Sequence, residues 1–151
     1  MAKTEPLRCN LTQLRKATRR VSQLYDAILA PCGLRGTQRA LLAYIARSGS
    51  PTMGELAAAL VLDRTALNHN LKPLQRDGLV TVAVDSNDRR SRLVRLTKRG
   101  EARLAETLVA WREAQDRFEK AFGSKQAADL RQTLELVASL DFGEQPTAPA
   151  S

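Results

Sequence analysis

The chain is poor in the residues that most metal sites, catalytic triads and sheet-rich folds need. It has one histidine (His69) and two cysteines (Cys9 and Cys32). That set cannot supply the four cysteines, the paired cysteines and histidines, or the three histidines of common zinc centres. A nucleophile backed by a positioned imidazole is equally hard to build, because the single histidine falls on the polar side of a predicted helix. No Gly-rich phosphate loop of the G-x-x-x-x-G-K-[ST] type occurs. Catalysis is therefore not expected, and neither is a cofactor. Aromatic residues make up 4% of the chain, too few for a sandwich or a base-stacking platform, both of which draw on Phe, Tyr and Trp. No apolar run approaches 18 residues and the first residues lack an apolar signal core, so the expected location is the cytoplasm, away from any membrane.

What the sequence does have is helix-forming composition and positive charge. Its 151 residues, 43% hydrophobic and 26% charged, suit one domain with a helical extension. The net charge of +8 is unevenly spread: residues 1–62 sum to +6, 63–99 to +5 and 101–145 to −3. A cationic region followed by an acidic one suits a polyanion-binding face joined to a neutral or acidic assembly face. A basic surface that serves only solubility is the plainer alternative.

Apolar residues at Leu11, Leu14, Ala17, Val21, Leu24, Tyr25 and Ile28 line one face of a first helix stopped by Pro31 and Gly33, with Arg15, Lys16, Arg19 and Arg20 on a solvated face. A second helix is expected from Thr37 as N-cap to Ser48, closed by Gly49. Thr52 and Glu55 form a capping box that opens a third. Asp63 caps a fourth, in which Leu67, Leu71 and Leu74 form an underside while Arg64, Thr65, Asn68, His69 and Lys72 point away. Pro73 should bend this helix or end it early, before Asp77-Gly78.

Beyond Gly78 the period changes. Leu79–Val84 and Leu93–Leu96 read as strands around the polar stretch 85–92, a hairpin with a cationic tip. Thr97 caps a predicted single long helix through Leu104, Leu108, Trp111, Phe118 and Phe122. At about 25 residues it would span roughly 37 Å. Ser124 caps a last helix through Leu130, Leu134, Val137 and Leu140, and residues 143–151 are expected to be a disordered tail.

The fold class expected is mainly α with a small β-hairpin wing: a winged helix-turn-helix at 35–99, flanked by an N-terminal helix within 1–34 and C-terminal helices within 100–142. The chemistry fits double-stranded DNA. A major groove about 12 Å wide admits one helix, and its edges are read by paired donors and acceptors. Arg64, Thr65, Asn68, His69 and Lys72 supply those groups. Arg89, Arg90 and Arg92 suit the narrow minor groove beside the site, and Asp88 is placed to orient Arg90. A basic helical dimer that compacts DNA without sequence preference is the competing reading.

The stretches Leu62-Asp-Arg-Thr-Ala-Leu67, Leu74-Gln-Arg-Asp-Gly-Leu-Val80, Asp85-Ser-Asn-Asp-Arg-Arg90 and Leu96-Thr-Lys-Arg-Gly100 together resemble the MarR family of bacterial transcription regulators, over residues 10–142. The resemblance implies an obligate homodimer whose first and last two helices interleave, and two recognition helices facing successive major grooves of a pseudopalindromic operator. It also implies repression lifted by a small phenolic or carboxylate effector between the lobes, or by cysteine oxidation. His69 stands where many members carry arginine, which implies a weaker and pH-sensitive contact, with an ordinary polar contact as the plainer alternative. In the hydroperoxide-sensing branch the reactive cysteine falls where this chain has Leu11, so Cys9 does not inherit that role. Cys9 and Cys32, the redox candidates, flank the first helix roughly 35 Å apart, beyond disulfide reach within one chain. Tyr25, Tyr44 and Trp111 are candidates to line an effector pocket, with core or dimer packing as their ordinary alternative.

Overall fold

The computed structural model describes residues 8–143. The expected tail therefore lies, apart from Gly143, outside the described residues. Seven α-helices and two strands occur among those described: α1 Asn10–Leu29, α2 Gly36–Ser48, α3 Met53–Ala59, α4 Arg64–Arg76, β1 Val80–Val84, β2 Arg92–Leu96, α5 Lys98–Glu106, α6 Leu108–Phe122 and α7 Ser124–Ser139. A 3-10 turn, Ala30–Cys32, ends α1. The order helix, turn, helix, hairpin is that of a winged helix. The chain divides into two compact units, residues 1–116 and 117–151.

In the first unit the local signals act as their chemistry requires. The Thr52 hydroxyl accepts from the Glu55 N–H at 3.1 Å and the Glu55 carboxylate accepts from the Thr52 N–H at 2.9 Å, opening α3. Asp63 opens α4 by accepting from the Ala66 N–H at 2.7 Å. Between these helices Val61 is forced to φ 52°, where the Leu62 N–H reaches back to the Ala57 carbonyl at 2.9 Å. That reversal turns α4 across α3.

The strands pair antiparallel, Val80 with Leu96 through Val84 with Arg92. The Pro51–Thr52 segment lies beside β2, where the Val94 N–H donates to the Pro51 carbonyl at 2.9 Å. At the hairpin's base the Thr97 hydroxyl donates to the Gly78 carbonyl at 2.6 Å and accepts from the Gly100 N–H at 3.0 Å. A Cβ at residue 100 would run into the Leu79 carbonyl oxygen. This close approach accounts for the Thr-x-x-Gly spacing after β2.

One continuous core holds these parts together: Leu41, Leu42 and Ile45 of α2, Met53 and Leu56 of α3, Leu67, Leu71 and Leu74 of α4, and Leu79, Val80 and Val94 of the hairpin. Burying each such side chain contributes about 1.5–3 kcal/mol, and the summed burial fixes α4's leucine side against α2 and α3.

Four boundaries differ from the sequence expectation. Helix α2 starts one residue before Thr37, with Arg35 as N-cap and the Gln38 side chain accepting from the Arg35 N–H at 2.9 Å. Helix α4 does not end early at Pro73 but continues to Arg76. The group the proline leaves without a donor is the carbonyl of His69, an exposed residue that water can reach. Helix α7 has Gly123, not Ser124, at its N-cap. The predicted single helix after Thr97 is two helices, because Thr107 breaks it. The Thr107 Oγ1 donates to the Leu104 carbonyl at 2.6 Å, competing with the helix ladder for that acceptor.

The second unit is simple. Phe118 and Phe122 pack with ring centroids 5.6 Å apart, Arg131 pairs with Glu119 at 3.2 Å, and Lys125 pairs with Asp129 one turn along α7 at 2.9 Å. Ala127 is buried, but every residue from 131 to 140 is exposed.

Candidate nucleic-acid interface

Helix α4 is amphipathic in a way that presents chemistry outward. Leu67, Leu71 and Leu74 are buried to 1% exposure or less, which leaves Arg64, Thr65, Asn68, His69 and Lys72 along a solvent-facing side. All five are exposed. Asn70, the remaining polar residue of this stretch, is half-buried and turns its amide inward, donating to the Ala66 carbonyl at 3.0 Å.

At the wing tip Asp88, Arg89, Arg90 and Arg92 are likewise exposed. The loop is shaped by its own carboxylates. Asp85 accepts from the Asn87 N–H at 2.9 Å, and Asp88 from the Arg90 N–H at 3.0 Å. Asp88 thus fixes the backbone of Arg90 in an Asx-type turn and, among the described residues, makes no ion pair with its guanidinium, contrary to the expectation from sequence. The three arginines extend from a braced loop with their charges available to an anion. On β2, Arg95 is held by donating from Nε to the Ser50 hydroxyl at 2.8 Å.

The three aromatic candidates for an effector pocket border two cavities of the first unit. Tyr44 and Trp111 line one of about 700 Å³. Tyr25 and Trp111 line another of about 320 Å³. Trp111 is thus common to both, with Tyr44 on the wall of the larger and Tyr25 on that of the smaller. Arg39, which sequence reasoning passed over, also borders both cavities. Its guanidinium lies 4.5 Å from the Trp111 ring centroid, and its Nε donates to the buried Thr107 Oγ1 at 3.1 Å. Burial draws the Arg39 pKa below its ordinary value, and the Tyr25 hydroxyl opposes that shift. The Tyr25 hydroxyl itself donates to the Gln115 side chain.

The redox candidates sit at the two ends of α1 and both thiols are free. Cys9 is exposed at the helix N-cap, and hydrogen bonds from the Thr12 side chain and backbone lower its pKa from the ordinary thiol value. Cys32 is half-buried. Among the described residues no cluster of three or more His, Cys, Asp or Glu is placed to hold a metal, and no helix is long and apolar enough to cross a membrane.

Known proteins share this architecture. A family model described as MarR family matches residues 33–91. The transcriptional regulator MosR of M. tuberculosis, solved in complex with DNA, is 36% identical with a TM-score of 0.72, over 85% of this chain and 98% of that one. CouR, a transcriptional repressor solved on a 23-mer DNA duplex, is 25% identical with a TM-score of 0.79, over 91% of this chain and 99% of CouR. The transcriptional activatory protein BadR of Rhodopseudomonas palustris is 39% identical over 71 residues, which span 45% of this chain and 41% of BadR.

Proposed function

Since this chain belongs to the MarR family, we propose that it is a homodimeric, sequence-specific regulator of transcription, a repressor released from its operator by a small aromatic or carboxylate ligand. The observation that carries the reading is the pairing of α4, with five exposed polar and basic side chains over a leucine underside, with a wing tip bearing three exposed arginines. In this reading Arg64, Asn68 and His69 meet base edges while Thr65 and Lys72 meet phosphate or a thymine methyl. Arg89, Arg90 and Arg92 occupy the flanking minor groove, and Asp88 holds their loop. The domain roles follow: 35–99 reads DNA, while 1–34 and 100–142 join two copies so that half-sites lie about one helical turn apart.

The test is a duplex selected from a random pool, followed by competition at fixed salt. The selected sequence should be preferred over unrelated DNA by about 10³-fold or more. Asn68→Ala should weaken binding at particular bases by about 1–3 kcal/mol. Arg90→Ala should weaken all sequences and flatten the salt slope by about 0.9 for each phosphate that is no longer neutralised. Equal affinity for every duplex would replace this reading with a compaction protein, and an Arg90 variant that binds like the parent would remove the wing from the interface.

A further inference from the structure

Arg103, Thr107, Trp111 and Gln115 recur at four-residue intervals through α5 and α6, a spacing that keeps them along one side of the helical axis. Each is buried or half-buried, and each is fastened to α1, to α2 or to the turn between them. Arg103 donates from Nη1 to the Cys32 carbonyl at 3.3 Å. Thr107 accepts from Arg39 Nε at 3.1 Å, and the same guanidinium lies 4.5 Å from the centroid of Trp111. Gln115 accepts from the Tyr25 hydroxyl.

This seam is centred on the place where the helix is interrupted. Thr107 is the one fully buried polar residue among those described. Its N–H is shared between the Arg103 and Leu104 carbonyls at 3.3 and 3.2 Å, both at the long end of the normal range. The Trp111 N–H then donates to the Thr107 carbonyl at 2.8 Å, so α6 restarts on the residue that ended α5. With φ −79° and ψ −9°, Thr107 makes a shallow bend, and two long backbone bonds hold its angle only weakly. Arg39 grips it from outside the helix, at Thr107 and again one turn further on at Trp111.

What the bend positions is α4. Arg39 stands at the start of α2, whose Leu41, Leu42 and Ile45 enter the same core as Leu67, Leu71 and Leu74. Helix α2 also packs on α5 and on β2 of the wing. The lobe therefore follows α2 as a body, and Arg39 sets where that body stands against the start of α6. A lobe of about 60 residues is roughly 20 Å across, so a tilt of about 10° at Thr107 carries its far side about 3.5 Å, close to the axial rise of one base pair.

We propose, on the homodimeric regulator reading above, that Arg39 is a positioning residue for DNA binding. By clamping Thr107 and Trp111 it fixes the bend between α5 and α6, and with it the separation at which two copies present α4 to paired half-sites. The test uses the full chain with the selected duplex, the same duplex with one base pair inserted or removed between its half-sites, and a duplex carrying one half-site alone. The parent should prefer the selected spacing by about tenfold or more, the scale of one defect in a specific site. Arg39→Gln and Thr107→Val should each reduce that preference to about twofold while binding the single half-site as the parent does. Thr107→Ser, which keeps the hydroxyl, should restore it, and the double variant should be no worse than either single one, because both remove the same clamp. On free protein, emission from Trp111, the sole tryptophan of the chain, should shift in Thr107→Val as it does in Arg39→Gln, since the guanidinium loses the bond that holds it over the ring. A spacing preference untouched by both variants, an equal loss on the single half-site, or Trp111 emission unmoved by Thr107→Val would overturn the proposal. If the emission shifts as expected but the parent itself binds every spacing alike, the clamp on the bend stands and it is the homodimeric, two-half-site reading that falls.

Discussion

The winged-helix lobe and the last helix use the same apolar residue types to opposite ends. From Gly36 to Leu96 the large aliphatic side chains close on one another, and Leu42, Ile45, Leu56 and Leu67 are fully buried. In α7 Leu130, Leu134 and Val137 recur at helical spacing just as regularly, yet Leu134 and Val137 stay exposed, as do Leu136 between them, at 61%, and Leu140 at the helix's C-cap. Leu11 and Leu14 at the start of α1 behave in the same way. Periodicity therefore says that a helix has an apolar face, but not whether its own chain covers that face. Under the homodimer proposal the covering surface is a second copy.

The difference can be broken first from the buried side. Leu71→Ala removes a side chain that is 1% exposed and should cost about 3 kcal/mol or more, through the forfeited burial and the cavity left behind. In a chain of this size that lowers the thermal midpoint by roughly 6–12 °C. Because the damage lies within one lobe, calorimetry should give the same shift at every protein concentration. A shift that shrinks on dilution would mean that the lobe is not self-sufficient. On the exposed side, Leu136→Asp should spare the helical circular dichroism but weaken self-association by about 10–100-fold, or roughly 1.4–2.8 kcal/mol. In a two-fold dimer the buried charge is introduced twice. Sedimentation equilibrium that finds the variant as tightly associated as the parent would take α7 out of the dimer seam.

What could be read from the sequence was what neighbours along the chain decide. The Thr52–Glu55 box, the Asp63 cap, the leucine underside of α4 and the turn-prone 85–92 stretch involve partners a few residues apart, and the structure forms each of them. The outward placement of Arg64, Thr65, Asn68, His69 and Lys72 followed, since burial of Leu67, Leu71 and Leu74 leaves them only one side to occupy. The break at Thr107 was hidden because Leu104, Leu108 and Trp111 keep helical spacing straight across it. Its accompanying contact is with Arg39, 68 residues earlier in the chain, and Arg39 looks in sequence like one more cation on an amphipathic helix. The same distance concealed the shared wall between the two cavities. Asp88 was misread for the opposite reason: the partner it holds is closer than expected, a backbone N–H two residues away instead of a guanidinium.

Val61 offers the finest test, because it is an exposed apolar residue inside a lobe whose large aliphatic side chains are mostly covered. At 69% exposure it is barer than Leu136, but its conformation gives a local reason. The turn between α3 and α4 holds it at φ 52°, a region that a β-branched residue enters at a cost of about 1–3 kcal/mol. Asparagine tolerates that region through its short polar side chain. Val61→Asn should therefore stabilise the protein by about 1 kcal/mol, raising the midpoint by roughly 2–4 °C, while self-association stays at the parental value. The paired measurement separates two kinds of exposed hydrophobic residue, one dictated by a turn and one awaiting a partner. If Val61→Asn instead loosens the dimer as Leu136→Asp is expected to, the exposed residue of the turn belongs to an interface and the contrast between the two regions disappears.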